Sequence, residues 1–305
     1  MAMHACSVGL PSLRFGNQDK IPENPGIQNP DMSTGPIKIN DNVGKVLTDI
    51  NNVPKGGYYI PKDCYSRHKV SILVPYRDRE ENLAAFLYNI HPFLMNQKLE
   101  YRIFVLEQSG VEPINKGRLF NAGFIEMQKF GTFNCVVFHD VDLLPTDSRI
   151  LYTCPTFPRH MCANIVNKTD IDFTKFTFGG VTSMTVEQYK KANGHSNVYW
   201  GWGGEDNDMF WRMRRAGFPV VRYNKEIAKF KMLPHPKQDQ NKYRYELLKT
   251  SWSRQKGDGL CNVEYKLLSI ALHNLYTHLL INVNPYKENI TELNIKWSKK
   301  KVEVV

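Results

Sequence analysis

The chain has 305 residues, with 40 Lys and Arg against 30 Asp and Glu, a formal charge of +10. At 42% hydrophobic, 12% aromatic and 23% charged, it is globular in composition, which excludes a mostly disordered chain, a collagen or a coiled coil. The length suits one large α/β domain or two modest ones, and six cysteines are too few for a disulfide scaffold but enough for two or three local bridges.

Residues 1–65 are rich in Pro, Gly, Asn and Asp and predict an extended arm over the domain, with Cys6 and Cys64 at its ends. Val70 to Val74 is a short apolar run, stopped by Pro75, that reads as a buried strand. Leu83, Phe86, Leu87 and Ile90 have helical spacing within Glu80 to Leu94. Tyr101 to Glu107 is a second strand. Lys116 to Phe130 is a second helix, with Leu119, Phe120, Phe124 and Met127 on one side. Cys135 to Phe138 is a third strand, running into His139-Asp140-Val141-Asp142. Strands alternating with helices predict βαβ units and a largely parallel sheet, whose ligands sit at the carboxyl ends of the strands.

The second half is less regular. Phe176 to Thr182 reads as strand with a glycine pair in the middle, Val186 to Asn193 as helix, and YWGWGGED leads into a helix through about Ala216. Leu267 to Val283, interrupted by His273, Asn274, Thr277 and His278, reads as a buried element, and the stretch after Asn284 as a polar, basic tail. No apolar run reaches the length of a membrane span, and the first twenty residues show no secretory signal pattern. The basic excess fits a groove for anionic ligands or a generally basic surface. Basic residues are scattered, with Lys299-Lys300-Lys301 the one run, so nucleic acid is not expected as a partner.

Four groups of residues carry chemistry. In an extended segment Asp140 and Asp142 face the same way, and two such carboxylates can hold a hard cation or simply cap a strand end. In YWGWGGED, Gly201, Gly203 and Gly204 free the backbone to hinge and Trp202 offers a stacking wall. Glu205 and Asp206 open the next helix, where acids suit the dipole and where one could deprotonate a sugar hydroxyl. Met232 and His235 offer a soft and a borderline metal ligand. Arg77 and Arg79, in the turn after the first strand, fit either phosphate binding or surface ion pairs.

Taken in order, VPYRDR, FNAGF, FHDVDLLP, FGGVTSM, YWGWGGEDND and KMLPH resemble the β-1,4-galactosyltransferase family over roughly residues 60 to 284. The resemblance implies a GT-A type α/β fold with a mostly parallel central sheet flanked by helices. It divides the chain into an arm (1–65), a catalytic domain (66–284) and a basic tail (285–305). It implies a Golgi type II enzyme, with membrane contact only through an anchor outside this chain. The enzyme would transfer Gal or GalNAc from the UDP-sugar to the 4-hydroxyl of a terminal GlcNAc, with inversion and Mn²⁺.

By resemblance, Asp142, Met232 and His235 are manganese ligands. Pro75, Tyr76, Arg77, Arg79, Ile114, Lys116, Asp140, Val141 and Thr177 face the donor. Gly180, Trp202, Asp206, Arg244, Tyr245 and Leu248 face the acceptor. Asp206 is the base, with Glu205 and Trp202 completing the catalytic group, and the segment after His235 is a loop that folds over the donor. The implied bridges are Cys6–Cys64 and Cys135–Cys154, with Cys162 and Cys261 free or a third bridge. Sequons at Asn167 and Asn289 agree with a secretory protein.

The chain also departs from the family pattern. Thr177 stands where galactose-specific members carry a tyrosine against the donor's 2-position, leaving room for an acetamido group. Thr174 replaces a tyrosine near the acceptor, Lys116 an arginine and Ile114 a phenylalanine. GGED and M-x-x-H argue against the xylose-directed branch, whose motifs resemble GRED and H-x-H. A catalytically silent carbohydrate-binding protein is the competing reading, and intact Asp142, Glu205, Asp206 and His235 speak against it.

Overall fold

The structure is a computed structural model and describes residues 36–39, 53–166, 176–236 and 238–299. Most of the arm, Cys6, the sequon at Asn167, Thr174, Lys300 and Lys301 lie outside the described residues.

The first half alternates as the sequence predicts: β1 (Tyr58–Tyr59), β2 (Lys69–Tyr76), α1 (Glu80–Asn96), β3 (Glu100–Gln108), α2 (Lys116–Met127) and β4 (Cys135–His139). Then come β5 (Leu143–Pro145), β6 (Arg159–His160), β7 (Asn164–Ile165), β8 (Val181–Thr185), α3 (Val186–Lys191) and α4 (Glu205–Arg215). The chain ends with β9 (Val221–Arg222), β10 (Lys229–Met232), α5 (Arg244–Lys249), α6 (Ser251–Arg254), β11 (Lys266–Leu272), β12 (Thr277–Asn282) and α7 (Ile290–Lys299).

The main sheet runs β11-β12-β3-β2-β4-β8-β6-β9, with β1 on β3. Its centre, β12-β3-β2-β4, is parallel, and β8 enters antiparallel to β4. Side chains alternate across this sheet. Val70, Ile72 and Val74 of β2 pack with Phe86 and Ile90 of α1, whereas Leu73 packs with Phe120 and Phe124 of α2. The sheet is therefore covered on both faces, which is why its strands read as unbroken apolar runs. Pro75 does not stop β2 as predicted: beyond Leu73 the strand has left β4 and pairs only with β3, so one side asks for no donor.

Four further expectations change. The strand placed over 176–182 starts only at Val181, because Gly180 has φ 66° and ends the preceding loop. The helix from Val186 stops at Lys191, with Asn193 at φ 59°. The late apolar stretch is a hairpin rather than one buried element. β12 alternates buried and half-buried, while edge strand β11 leaves Leu268, Ile270 and Leu272 exposed. The tail after Asn284 contains helix α7, where the Trp297 carbonyl accepts from Thr250 at 3.0 Å.

Parts of the arm lie on the domain: Ile37 N donates to Thr146 O at 2.9 Å, and β1 pairs with β3. Cys135–Cys154 is bridged, with Cα atoms 5.4 Å apart, and joins the start of β4 to the segment between β5 and β6. Cys64 is disulfide-bonded, and its expected partner Cys6 lies outside the described residues. Cys162 and Cys261 are free, which settles that alternative.

Beneath α4 lies a buried ion network. Asp208 pairs with Arg212 at 2.7 Å and Arg254 at 2.7 Å, and Asp258 pairs with Arg212 at 2.9 Å and Arg254 at 3.1 Å. Tyr199 donates to Asp208 at 2.9 Å, while Asn197 N and Ser196 Oγ donate to Asp258 at 2.7 and 2.5 Å. Two acids and two arginines thus tie together α4, α6 and residues 196–199. Removing one partner leaves a buried charge uncompensated. Arg254→Leu is expected to cost about 3–5 kcal/mol in urea unfolding; a loss below about 1 kcal/mol would place the network outside the stability-determining core.

Candidate active site

The site forms where β4 ends. Asp140-Val141-Asp142 is a turn, closed by Leu143 N donating to Asp140 O at 3.3 Å, so the extended geometry expected of it is not what brings the acids together. The turn is held from both sides. Asp140 N donates to Gly180 O at 2.9 Å, and His139 Nδ1 lies 2.9 Å from Asp140 O. Val141 is buried.

The KMLPH segment reaches Asp142 through a second sheet, β5-β10-β7. Met232 is the register partner of Leu143, and Leu233 N donates to Asp142 O at 2.7 Å. That pairing carries His235 to the turn, with Nε2 3.3 Å from Asp142 Oδ2. His235 Nδ1 lies 2.9 Å from Pro236 O. A carbonyl only accepts, so Nδ1 carries a hydrogen, and in the neutral ring this leaves the Nε2 lone pair facing the carboxylate. Two acceptors aimed at one point fit a cation between them, and a second-sphere carbonyl fixing the tautomer is usual for a ligating histidine. Asp142 also receives Arg79 Nη1 at 2.9 Å.

Opposite stands a group of acids around one lysine. Lys116 opens α2, capped by Asn115, whose side chain accepts from Arg118 N. Its Nζ lies 3.0 Å from Asp140, 3.3 Å from Asp206 and 3.8 Å from Glu205. Burial opposes the charge on Lys116, but the three carboxylates outweigh it and hold the ammonium well above its usual range. Burial pushes Asp140 up to about 6, and Asp142 adds to this while Lys116 opposes it. Burial and the neighbouring Asp206 push Glu205 up to about 7, against Lys116. The Glu205 Oε2 atom is buried with no hydrogen-bond partner.

Gly204 caps α4 at φ 100°, with Gly203 at φ 103°, conformations that suit glycine. They turn the chain so that Glu205 and Asp206 begin the helix at its positive end. A side chain at Gly179 would overlap the Asp206 carboxylate, which marks how closely that loop approaches it. Trp202 is 53% exposed and joined to the segment after His235: Trp202 N donates to Asp239 O at 2.9 Å and Asn241 N to Trp202 O at 3.0 Å. Arg244 lies 4.6 Å from the Tyr245 ring and 5.9 Å from the Trp202 ring.

The remaining positions surround these groups. Pro75 and Tyr76 end β2, where burial raises the Tyr76 hydroxyl to about 12. Arg77 Nη1 donates to Glu112 O at 2.7 Å, and Gly201 N donates to Ile114 O at 2.8 Å, so this loop also supports the tryptophan segment. Thr177 is half-buried, its carbonyl held by Arg222 Nη2 at 3.1 Å. Leu248 lies one turn beyond Arg244 on α5. The sequence reading missed Lys116 as the hub of three acids, and missed Arg222 and Asn115. Helix and strand ends give no local pattern for such long-range partners.

A mostly parallel central sheet flanked by helices, with an aspartate-bearing turn at the carboxyl edge of β4, is a GT-A type fold, the fold of a class of glycosyltransferases. Residues 27–155 match the N-terminal region of glycosyl transferase group 7, and residues 159–236 match the N-terminal domain of galactosyltransferase. Human β-1,4-galactosyltransferase 6 is 39% identical over 269 residues, covering 88% of this chain and 69% of its own. Mouse β-1,4-galactosyltransferase 5 is 36% identical over 300 residues, 95% of this chain and 72% of its own. The catalytic domain of Drosophila β-1,4-galactosyltransferase 7, solved with xylobiose, superposes with a TM-score of 0.63 at 31% identity, over 77% of this chain and 100% of that one. A mutant of that Drosophila enzyme, solved with manganese, UDP-Gal and xylobiose, superposes with a TM-score of 0.62 at 29% identity, over 77% of this chain and 100% of that one. The chain belongs to the β-1,4-galactosyltransferase family.

The raised Glu205 carboxyl has a consequence for stability. Its folded value of about 7 lies above the ordinary 4.5, so between these values the native state holds a proton that the unfolded chain has lost. Stability therefore falls as pH rises through that window. Glu205→Gln should remove this slope and stabilise the fold above pH 7 by about 2–3 kcal/mol. Urea unfolding at pH 5 and pH 8 checks it; an unaltered pH slope would refute the assignment.

Proposed function

We propose that the chain is an inverting, manganese-dependent β-1,4-glycosyltransferase. It moves GalNAc, Gal or both from the UDP-sugar to the 4-hydroxyl of a terminal GlcNAc. The observation that carries this reading is the partnerless, buried Glu205 oxygen beside Asp206, across Lys116 from the converging Asp142 and His235. One side is built to receive a cation and the other to receive hydroxyl groups.

Asp142, Met232 and His235 would hold the manganese, which supplies positive charge for a leaving diphosphate. The protein's own groups do the rest. Arg77 and Arg79 flank the nucleotide side at the end of β2. Asp206 accepts the proton of the acceptor hydroxyl as its oxygen bonds to the anomeric carbon, while the bond from that carbon to UDP breaks on the opposite face. One displacement inverts an α-linked donor to a β-linked product. Glu205 accepts a donor hydroxyl at its open oxygen. Trp202, with Arg244, Tyr245 and Leu248 on the segment joined to it, covers the sugars and excludes water. That segment favours ordered binding, donor before acceptor.

The proposed setting is the Golgi lumen. Family membership and the Cys135–Cys154 bridge, which suits an oxidising compartment, support it. No helix among the described residues is long and apolar enough to cross a membrane.

Asp206→Asn should lower kcat by about 10²–10⁴-fold, and EDTA should abolish turnover, both read as UDP release. Saccharide binding without UDP release in the wild type would favour the silent carbohydrate-binding reading instead.

Donor choice turns on Thr177. Its short side chain supports room for a 2-acetamido group, and hence UDP-GalNAc as well as or instead of UDP-Gal. Thr177→Tyr should reduce the GalNAc-to-Gal ratio of kcat/KM by about tenfold or more. An unchanged ratio would remove the argument for GalNAc.

A further inference from the structure

The sequon Asn289-Ile290-Thr291 takes no part in the transfer site. Asn289 stands before α7 as its N-cap. Its backbone carbonyl accepts from Leu293 N at 2.9 Å. Its side-chain Oδ1 accepts from Thr291 N at 3.1 Å and from Glu292 N at 3.3 Å. The cap therefore uses the oxygen of the side-chain amide, while Nδ2 donates to Glu292 Oε1 at 3.1 Å. Capping alone does not ask for asparagine. Aspartate caps as well, and its charge would suit the positive end of α7 better. What asparagine adds is the Nδ2 group.

Asn289 and Thr291 are both exposed, as attachment of a bulky sugar chain requires. The turn that carries them is well tied down. Asn284 Oδ1 accepts from Glu288 N at 2.9 Å, and Asn284 Nδ2 donates to Glu288 O at 3.2 Å. Arg118 of α2 pairs with Glu288 at 2.9 Å. Further along, α7 meets the end of α5 through Trp297 and Thr250, about 12 Å along the axis from Asn289. A sugar chain on Asn289 therefore leaves that contact in place.

We propose that Asn289 is an N-glycosylation site, modified at Nδ2 by an oligosaccharide carried on a polyprenyl diphosphate. Nδ2 bonds to the anomeric carbon, the bond from that carbon to the diphosphate breaks, and one amide proton is lost to the transferring enzyme. The nitrogen keeps its second hydrogen for Glu292, and Oδ1 keeps both capping bonds. Modification and fold are compatible because they use opposite ends of one amide. This inference rests on the reading of the Golgi lumen as the setting.

The test is to secrete the full chain from a mammalian cell line behind a supplied signal peptide. Glycans are then released with peptide N-glycosidase in heavy-oxygen water, and the peptides are mapped by mass spectrometry. Asn289 should be recovered as heavy-labelled aspartate, a readout that separates it from the second sequon at Asn167. Thr291→Ala and Asn289→Asp should each remove one glycan from the intact mass, and Thr291→Ser should retain it. Both losing variants keep a capping oxygen at position 289, so loss of the helix does not explain the result. An unmodified Asn289 peptide in the wild type, or a label that survives Thr291→Ala, would overturn the site. Because the signal is supplied, occupancy does not depend on where the chain naturally resides. Failure of the Golgi reading shows separately, as an endogenous chain that fractionates away from Golgi membranes.

Discussion

One ammonium among three carboxylates organises this site. Lys116 reaches Asp140, Glu205 and Asp206 from the start of α2, linking three elements that are far apart in sequence. The charges do not balance: three acids face one lysine. Part of the surplus is met by the positive end of α4, where Glu205 and Asp206 sit. Part is relieved by Glu205 and Asp140 holding protons more tightly than usual. What remains draws in cations and hydrogen-bond donors, and those are what a metal–diphosphate and a polyhydroxylated sugar bring.

Such a site needs rigid support and one movable edge. The pairs of Asp208 and Asp258 with Arg212 and Arg254 supply the support, because they fix the underside of the helix that presents the two acids. The edge that the proposed function needs to move lies immediately before that helix. Gly203 and Gly204 have positive φ, and Trp202 is joined to residues 239–241 by backbone hydrogen bonds. Any displacement of the tryptophan backbone would therefore carry the segment bearing Arg244 and Tyr245 with it. In the proposed function the acids stay in place while the tryptophan segment closes, so water is excluded without disturbing Asp206 as the base.

The central βαβ units were legible from sequence because β2, β3 and β4 are buried on both faces and α1 and α2 each carry one apolar side. The DVD and WGWGGED motifs marked the candidate site for a different reason: their acids, glycines and aromatics are concentrated over a few residues. Legibility stopped where a feature depends on a distant partner. Met232 nears Asp142 through the pairing of β10 with β5, a contact that no local spacing announces. Lys116 gave no sign of holding three acids, since a lysine at a helix start is ordinary. β11 misled because its leucines and isoleucine read as core, yet it lies at an open edge. Gly180 marked the beginning of a strand rather than its middle, a distinction carried by φ alone.

The partnerless Glu205 oxygen joins stability to function. A buried carboxylate atom with no donor is unfavourable in the folded protein, and burial already raises this group's proton affinity. A Glu205 backbone hydrogen bond and Lys116 favour the charged form of the group, but neither supplies Oε2 with a donor. A ligand hydroxyl would. In the proposed function, the same atom that lowers stability at neutral pH is the one that a donor-sugar hydroxyl would satisfy. The ion network below α4 offsets that cost by fixing the helix that presents the atom.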